Sequence, residues 1–179
     1  MKMTTPVSKI ALENLADNFF QASTGSWKSQ RRYYTLKSGE AQEVVSSLTV
    51  QALAPGCDAL RQLALKHQLT DELALTCGAL TTWESNYVGP GSKQTSGSTV
   101  FGVKGNQLYR DRGFSTPKPI IAKFSMPDAQ TMCLRTEYSG NVFEEEVKLI
   151  GSQYRTRQTI ISRAGKEVMI GQYLETRVE

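Results

Sequence analysis

The chain has 179 residues, 39% apolar and 21% charged, the proportions of a globular protein long enough to bury one core. Its formal charge of +4 is scattered rather than gathered on one helix or tail, which argues against a nucleic-acid partner. One histidine, His67, and three widely spaced cysteines, Cys57, Cys77 and Cys133, leave no material for a multi-histidine zinc site, a CxxC metal site or a disulfide framework. No stretch approaches the roughly 20 apolar residues that span a membrane. The N-terminus carries Asn and Asp where a signal peptide needs its apolar run, so a reducing, cytosolic compartment and a single domain over 1–179 are expected.

The first expected element is a helix over 7–22. Thr5-Pro6 supplies a cap with proline at the first helical position, Val7, Ile10, Ala11, Leu15 and Phe19 follow helical spacing, and Gly25 lies where a C-terminal cap belongs. A second, short helix is expected at Cys57–Lys66, capped by Asp58 and preceded by the breaker Ala54-Pro55-Gly56. The rest reads as strands. Residues 26–36 and 42–53 are joined by the hairpin-sized link 37–40, and Leu73, Leu75, Cys77 and Ala79 alternate along a third strand over 72–83. Residues 85–98 (SNYVGPGSKQTSGS) read as the longest irregular stretch, so Trp83 is expected at a strand end. Beyond it, turn signals such as Gly105-Asn106, Gly140-Asn141 and Ala164-Gly165 recur at spacings of roughly 8–12 residues. The sum is an all-β fold of about ten strands with two helices, best accommodated as an antiparallel up-and-down barrel. Barrels of eight or more strands can hold a small ligand inside.

Alternate side chains of a strand point to opposite faces. Over 142–150, Phe143, Glu145, Val147 and Leu149 share one face, and Glu144, Glu146 and Lys148 share the other. Glu145 is thus a carboxylate in an apolar row, where burial costs several kcal/mol without a partner. It is either a cavity carboxyl aimed at a ligand N–H or an ordinary glutamate near the rim. Arg155 and Arg157 share a face with Thr159 and Ile161, and Arg31 shares one with Trp27, Ser29 and Tyr33. Guanidinium forks on one face suit a ligand with carboxylates, or else form a solvated outer wall. Trp83 either stacks on a planar ligand or closes the core. Cys77, in an apolar alternation, reads as a buried small hydrophobe, and Cys57 and Cys133 lack the basic neighbours that activate thiols. His67 sits near a helix end, where it can interact with the dipole.

With these residues in view, the chain resembles the CpcS/CpeS family of S-type phycobiliprotein lyases. The motifs run through most of the sequence: FFQASTGSWKSQR at 19–31, Trp83, GSTV at 97–100, GNQLYRDRGFSTPKP at 105–119, LRTEY at 134–138 and YRTRQT at 154–159. The resemblance implies a lipocalin-like barrel that binds an open-chain tetrapyrrole, phycocyanobilin or phycoerythrobilin, as substrate rather than as a permanent cofactor. It implies thioether attachment of that bilin to a cysteine of a phycobiliprotein α or β subunit. It also implies work as a homodimer, or as a heterodimer with a related lyase subunit, in the cyanobacterial cytosol or a plastid stroma. The matching positions make Glu145 the catalytic carboxyl and Arg31, Trp83, Arg155, Arg157 and Tyr34 bilin contacts, with no metal. Two places depart from the family pattern. Tyr33-Tyr34 stand where histidine is common, and Glu145-Glu146-Val147-Lys148-Leu149 replaces Glu-Arg-x-Trp-Phe. The departures are those of a divergent branch, such as the CpcU-like members, and put the completeness of the pocket in question.

Overall fold

A computed structural model describes residues 8–179. Ten strands close into an antiparallel barrel in chain order, β1 pairing with both β2 and β10, so the expected up-and-down barrel with two helices is what forms. The strands are β1 Gly25–Thr35, β2 Glu40–Leu53, β3 Cys77–Tyr87, β4 Gln94–Lys104, β5 Gln107–Arg110, β6 Ile120–Asp128, β7 Thr131–Tyr138, β8 Asn141–Ile150, β9 Tyr154–Arg163 and β10 Lys166–Val178. Helix α1 spans Lys9–Ser23 and α2 spans Asp58–Lys66.

Helix α1 starts later than its periodicity predicts. Ser8 is the cap, its hydroxyl accepting from the Ala11 N–H at 3.2 Å, while the expected Thr5-Pro6 cap lies outside the described residues. At the other end Thr24, not Gly25, caps the helix; Gly25 opens β1 at φ +131°. The buried face is Ala16, Phe19, Phe20 and Ser23, one helical stripe. That stripe packs against β2, β3, β4, β6 and β7, more than half way round the ring, so α1 plugs one end of the barrel. Arg177 ties the plug down. Its guanidinium donates to the carbonyl oxygens of Ala22 and Thr24, which the helix leaves without an internal partner.

The cores are two. Inside the barrel, Phe19 and Phe20 meet Trp27, Leu48, Val50 and Phe124. Outside it, α2 lays Leu60, Leu63 and Ala64 over the wall with Leu53, Leu75 and Tyr109. This outer core explains a misread strand. Only the first half of the expected alternation lies outside the strand: Leu73 is exposed, Leu75 is buried under α2, and β3 begins at Cys77, so Cys77 and Ala79 do belong to it. Cys57, rather than Asp58, is the α2 cap, without a side-chain hydrogen bond.

A larger correction concerns 85–98. Most of it is ladder: β3 continues to Tyr87, β4 starts at Gln94, and Asn86 pairs with Gln94. Serine, threonine and glycine mimic a loop in sequence but are placed here by cross-strand partners, such as the Ser46 and Ser85 hydroxyls 2.6 Å apart inside the barrel. Trp83 therefore stands in mid-strand. Its indole lies on Gly97, where an added Cβ would be 2.6 Å from Cζ2.

Glycine is obligatory where α2 meets the wall. A Cβ at Gly78 would stand 2.1 Å from the Phe101 carbonyl oxygen and 2.7 Å from Leu60 Cδ2. Gly78→Ala should therefore exceed the usual overpacking penalty of about 1–3 kcal/mol. Urea unfolding checks this. A midpoint within error of the parent would mean that the β3–β4 contact is looser than described.

Candidate functional site

The interior is apolar near the plug and charged farther up. The cavity occupies about 1000 Å³, at the upper end of the size of small-molecule pockets. Phe19, Phe20, Leu48 and Leu108 form its floor, and Glu40, Gln42, Tyr87, Arg112 and Phe114 lie towards the mouth.

Parity places Glu145 inside as the row on β8 predicts, 6% exposed. Its carboxylate accepts from Arg110 Nη1 at 3.1 Å. The two residues stand on strands separated by β6 and β7, so the pair is a strut through the lumen rather than a cross-strand neighbour contact. The guanidinium of Arg110 lies 5.2 Å from the Phe101 ring.

A second group of charges lies around Glu175, whose side chain is fully buried on β10. Its carboxylate pairs with Arg155 Nε, lies 3.5 Å from Arg157 Nη1 and accepts from the Ser29 hydroxyl at 3.3 Å. Ser29 in turn accepts from Arg31 Nε at 3.2 Å. Burial alone would push the Glu175 carboxyl up; the Arg155 and Arg157 charges outweigh it and hold the group below the usual carboxylate range. Arg31 and Arg157 both lie over the Tyr173 ring, at 5.4 and 4.8 Å. Burial raises the Tyr173 phenol, which stays protonated and donates to the Tyr33 oxygen at 3.2 Å.

Arg31, Arg110, Arg112, Arg155 and Arg157 line or adjoin the cavity against Glu40, Glu145 and Glu175, leaving two positive charges unbalanced. Arg112 lies 5.4 Å from the Trp83 ring, so Trp83 offers a wall already backed by a cation.

Of the residues expected from sequence, Glu145, Arg31, Trp83, Arg155 and Arg157 are brought together here. Tyr34 is not. It points outward beside Arg32, because β1 alternates and Arg31 and Tyr33 take the inner positions. Of the pair, Tyr33 is the one that lines the cavity, with room provided by Gly171, where a Cβ would be 3.2 Å from its ring. Arg110, Arg112, Tyr173 and Glu175 fall outside the sequence expectation. Parity along β10 carries the signal for two of them, since Gly171, Tyr173 and Glu175 share one face. Two of the thiols are poor nucleophiles: burial pushes Cys77 up to about 12 and also raises Cys133. His67 lies outside the barrel as the C-terminal cap of α2, Nε2 2.8 Å from the Arg110 carbonyl oxygen.

The departures in β8 spare the cavity. Glu146 and Lys148 face outward and Leu149 joins the core, leaving Glu145 and Val147 on the inner wall.

A family model described as CpeS-like protein matches residues 16–178. A protein of Nostoc sp., provisionally named phycocyanobilin lyase CpcS 2, is 53% identical over 178 residues, with 99% of each chain covered. A protein of Picosynechococcus sp., provisionally named chromophore lyase CpcV, is 47% identical over 179 residues, covering 99% of this chain and 89% of its own. In fold, the chain matches the S-type phycobiliprotein lyase CPES of Guillardia theta with a TM-score of 0.76 at 22% identity, covering 92% of this chain and 93% of that one.

The buried carboxylate of Glu175 has a measurable consequence. Glu175→Gln leaves Arg155 and Arg157 without their counter-charge and should cost about 3–5 kcal/mol. A carboxyl held low in the folded state contributes stability that is complete above its unfolded value, about pH 4.3. That contribution is lost as the pH falls through the lower folded value. Thermal melts of parent and variant should therefore differ widely at pH 7 and draw together in acid; a constant gap would show that Glu175 carries no charge in the fold.

Proposed function

Because the chain belongs to the CpeS-like family, we propose that it is a bilin lyase, which binds a linear tetrapyrrole and promotes its thioether attachment to a cysteine of a phycobiliprotein subunit. The observation that carries this reading is the cavity carboxylate of Glu145 in a barrel pocket with two surplus arginine charges. A bilin is a planar, largely apolar chain of four rings with two propionates and a row of ring N–H groups. The surplus positive charge matches the propionates, with Arg31 and Arg157 best placed to hold them. Arg155 is the least available, being buried against Glu175 and under Trp27, 5.0 Å from its ring. Trp83 and Tyr173 supply flat walls for rings.

The protein's chemical role is confined to binding and electrostatics. Glu145 accepts from ring N–H groups and acts as counter-ion to the protonated tetrapyrrole, whose positive charge makes the ethylidene substituent more electrophilic. The acceptor thiol then adds across that double bond. Sulfur bonds to the ethylidene carbon, the proton goes to the adjoining ring carbon, and nothing leaves. The pocket fixes the bilin's conformation and excludes other nucleophiles until the acceptor arrives. The acceptor is a phycobiliprotein α or β subunit, and the reaction belongs in the cyanobacterial cytosol or a plastid stroma. Among the described residues no helix is long and apolar enough to cross a membrane.

Absorption spectroscopy tests this. Mixed with phycocyanobilin, the parent should give a sharpened, red-shifted band; no spectral change would end the lyase reading. Glu145→Gln keeps size and an acceptor oxygen but loses the charge, so it should lose the red shift and weaken binding by about 1.5–3 kcal/mol. Glu144→Gln is the control. Glu144 lies on the outer face against Arg135, and an exposed pair contributes only about 0–1 kcal/mol.

The cysteines give a separate check. With the nucleophile on the acceptor, a variant in which Cys57, Cys77 and Cys133 are all alanine should transfer bilin at the parent rate. Loss of transfer in a folded triple variant would instead indicate a bilin–lyase thioether.

A further inference from the structure

The end of the barrel opposite the plug differs from the plug end in charge. Helix α1 runs straight into β1 at Gly25 and neighbouring strands are antiparallel, so the links that follow odd-numbered strands lie at the mouth. These are 36–39, 88–93, 111–119, 139–140 and 164–165. In and beside them Lys37, Lys93, Lys118, Arg163 and Lys166 are exposed, against the exposed carboxylates of Glu40 and Glu167. Asp111 and Arg112, both half-buried, cancel, so the rim carries three unbalanced positive charges. The links at the plug end and the residues flanking them have the opposite sign: Asp58, Asp71, Glu72 and Asp128 outnumber Lys66 and Lys104 by two.

Four apolar side chains stand among the rim cations. Leu36, Val88, Phe114 and Val168 are 36–53% exposed. Fixed backbone presents them. The Leu36 N–H donates to the Val168 carbonyl oxygen at 3.1 Å, and the Val88 N–H donates to that of Glu43 at 3.0 Å. Val168 is the extra residue of a bulge between β9 and β10, and bulges re-aim side chains. The Phe114 ring rests 5.8 Å from that of Phe143, and the adjoining Ser115 N–H donates to the Tyr138 hydroxyl at 3.0 Å. Apolar side chains interspersed with charges of one sign have the anatomy of a protein-binding surface.

The chemistry of transfer narrows the occupant. The acceptor thiol has to reach the bound bilin, and α1 closes the other end of the barrel. A second copy of this chain is disfavoured, because two mouths face to face would bring the same surplus charge together. An acidic surface would be drawn in. We propose that the mouth rim is the docking surface for the acceptor subunit, and that it takes an acidic face of that subunit surrounding the acceptor cysteine. This rests on the bilin-lyase reading and adds to it where the partner arrives and the charge it carries.

Transfer kinetics test the docking surface, with phycocyanobilin-loaded protein titrated with phycobiliprotein apo-subunits, α and β separately. Lys37, Lys118 and Lys166 belong to no ion pair among the described residues. Replacing all three with Glu therefore turns the positive surplus negative without breaking an ion pair. This variant, Lys37→Glu with Lys118→Glu and Lys166→Glu, should bind phycocyanobilin with the parent's affinity and absorption band. Its KM for the acceptor should rise about tenfold or more at about 0.01 M salt. The gap should close towards about 1 M salt, where the screening length falls from about 30 Å to about 3 Å. Lys28→Glu with Lys104→Glu and Lys123→Glu makes the same change of charge away from the mouth and should keep the parent KM. Leu36→Ser with Val88→Ser should raise KM about tenfold at every salt concentration, as loss of buried apolar contacts predicts. If the rim variant keeps the parent KM, or the control variant loses as much, the acceptor does not dock on this charge. If the rim variant instead changes the oligomeric state in sedimentation, or abolishes binding to phosphatidylglycerol vesicles, while KM stays, the surface belongs to a second copy or a membrane and the inference fails. A parent that binds no phycocyanobilin, or transfers it to neither subunit, would overturn the lyase reading itself.

Discussion

A carboxylate with no exposed surface constrains much of this barrel. Glu175 can remain charged inside the protein only if cations and hydroxyls meet it there, since an unpaired buried charge would cost several kcal/mol. Arg155 and Arg157 meet it from β9, and Ser29 from β1. The contacts extend to the plug. Arg155 lies 5.0 Å from the Trp27 ring and Arg177 lies 4.2 Å from it, while Trp27 Nε1 donates to the Ser23 carbonyl oxygen at 2.9 Å. Arg177 holds the last carbonyls of α1. The charged half of the cavity and the helix that closes its floor are therefore parts of one contact network.

Such networks are weak sources of net stability, because desolvation consumes most of the attraction. Their value lies in placement. Buried arginines that cannot swing into solvent present their donors in set directions, and an amphipathic ligand meets an interior already polarised for it. The division is visible along single strands. On β1, Trp27 packs on the floor, Ser29 relays to Glu175, Arg31 reaches over Tyr173 and Tyr33 forms part of the upper wall. One strand thus runs from core to charge to aromatic rim on a single face.

The residues that distinguish this chain from the family pattern lie mostly on the other face. Glu146 and Lys148 on β8 face outward, and the tyrosine pair splits, Tyr33 inward and Tyr34 outward. The outer surface can thus vary while the interior retains its charge arrangement, because strand alternation separates the two. The outer wall under α2 is the exception. Gly78 and Gly102 there are as constrained as any interior residue, since side chains of α2 and Leu75 occupy the space of their missing Cβ atoms.

Periodicity determined the strands, the two helices and the faces on which Glu145, Arg155, Arg157 and Arg31 lie, because each is a local property of one strand or helix, whereas closure of the ring decided that those faces point inward. Alternation put Tyr33 on the Arg31 face, but the resemblance pointed to Tyr34, which the strand turns outward. Local pattern could not decide three things. The ladder through 85–98 exists because β2 and β4 supply partners to β3, and a run of Ser, Thr and Gly has no strand signature apart from them. Leu75 is buried by a helix packed from outside the barrel, which no alternation encodes. The charge pairing was decided by closure alone. Arg110 meets Glu145 across 35 residues and Arg155 meets Glu175 across 20, and which guanidinium neutralises which carboxylate depends on the shear and diameter of the closed ring.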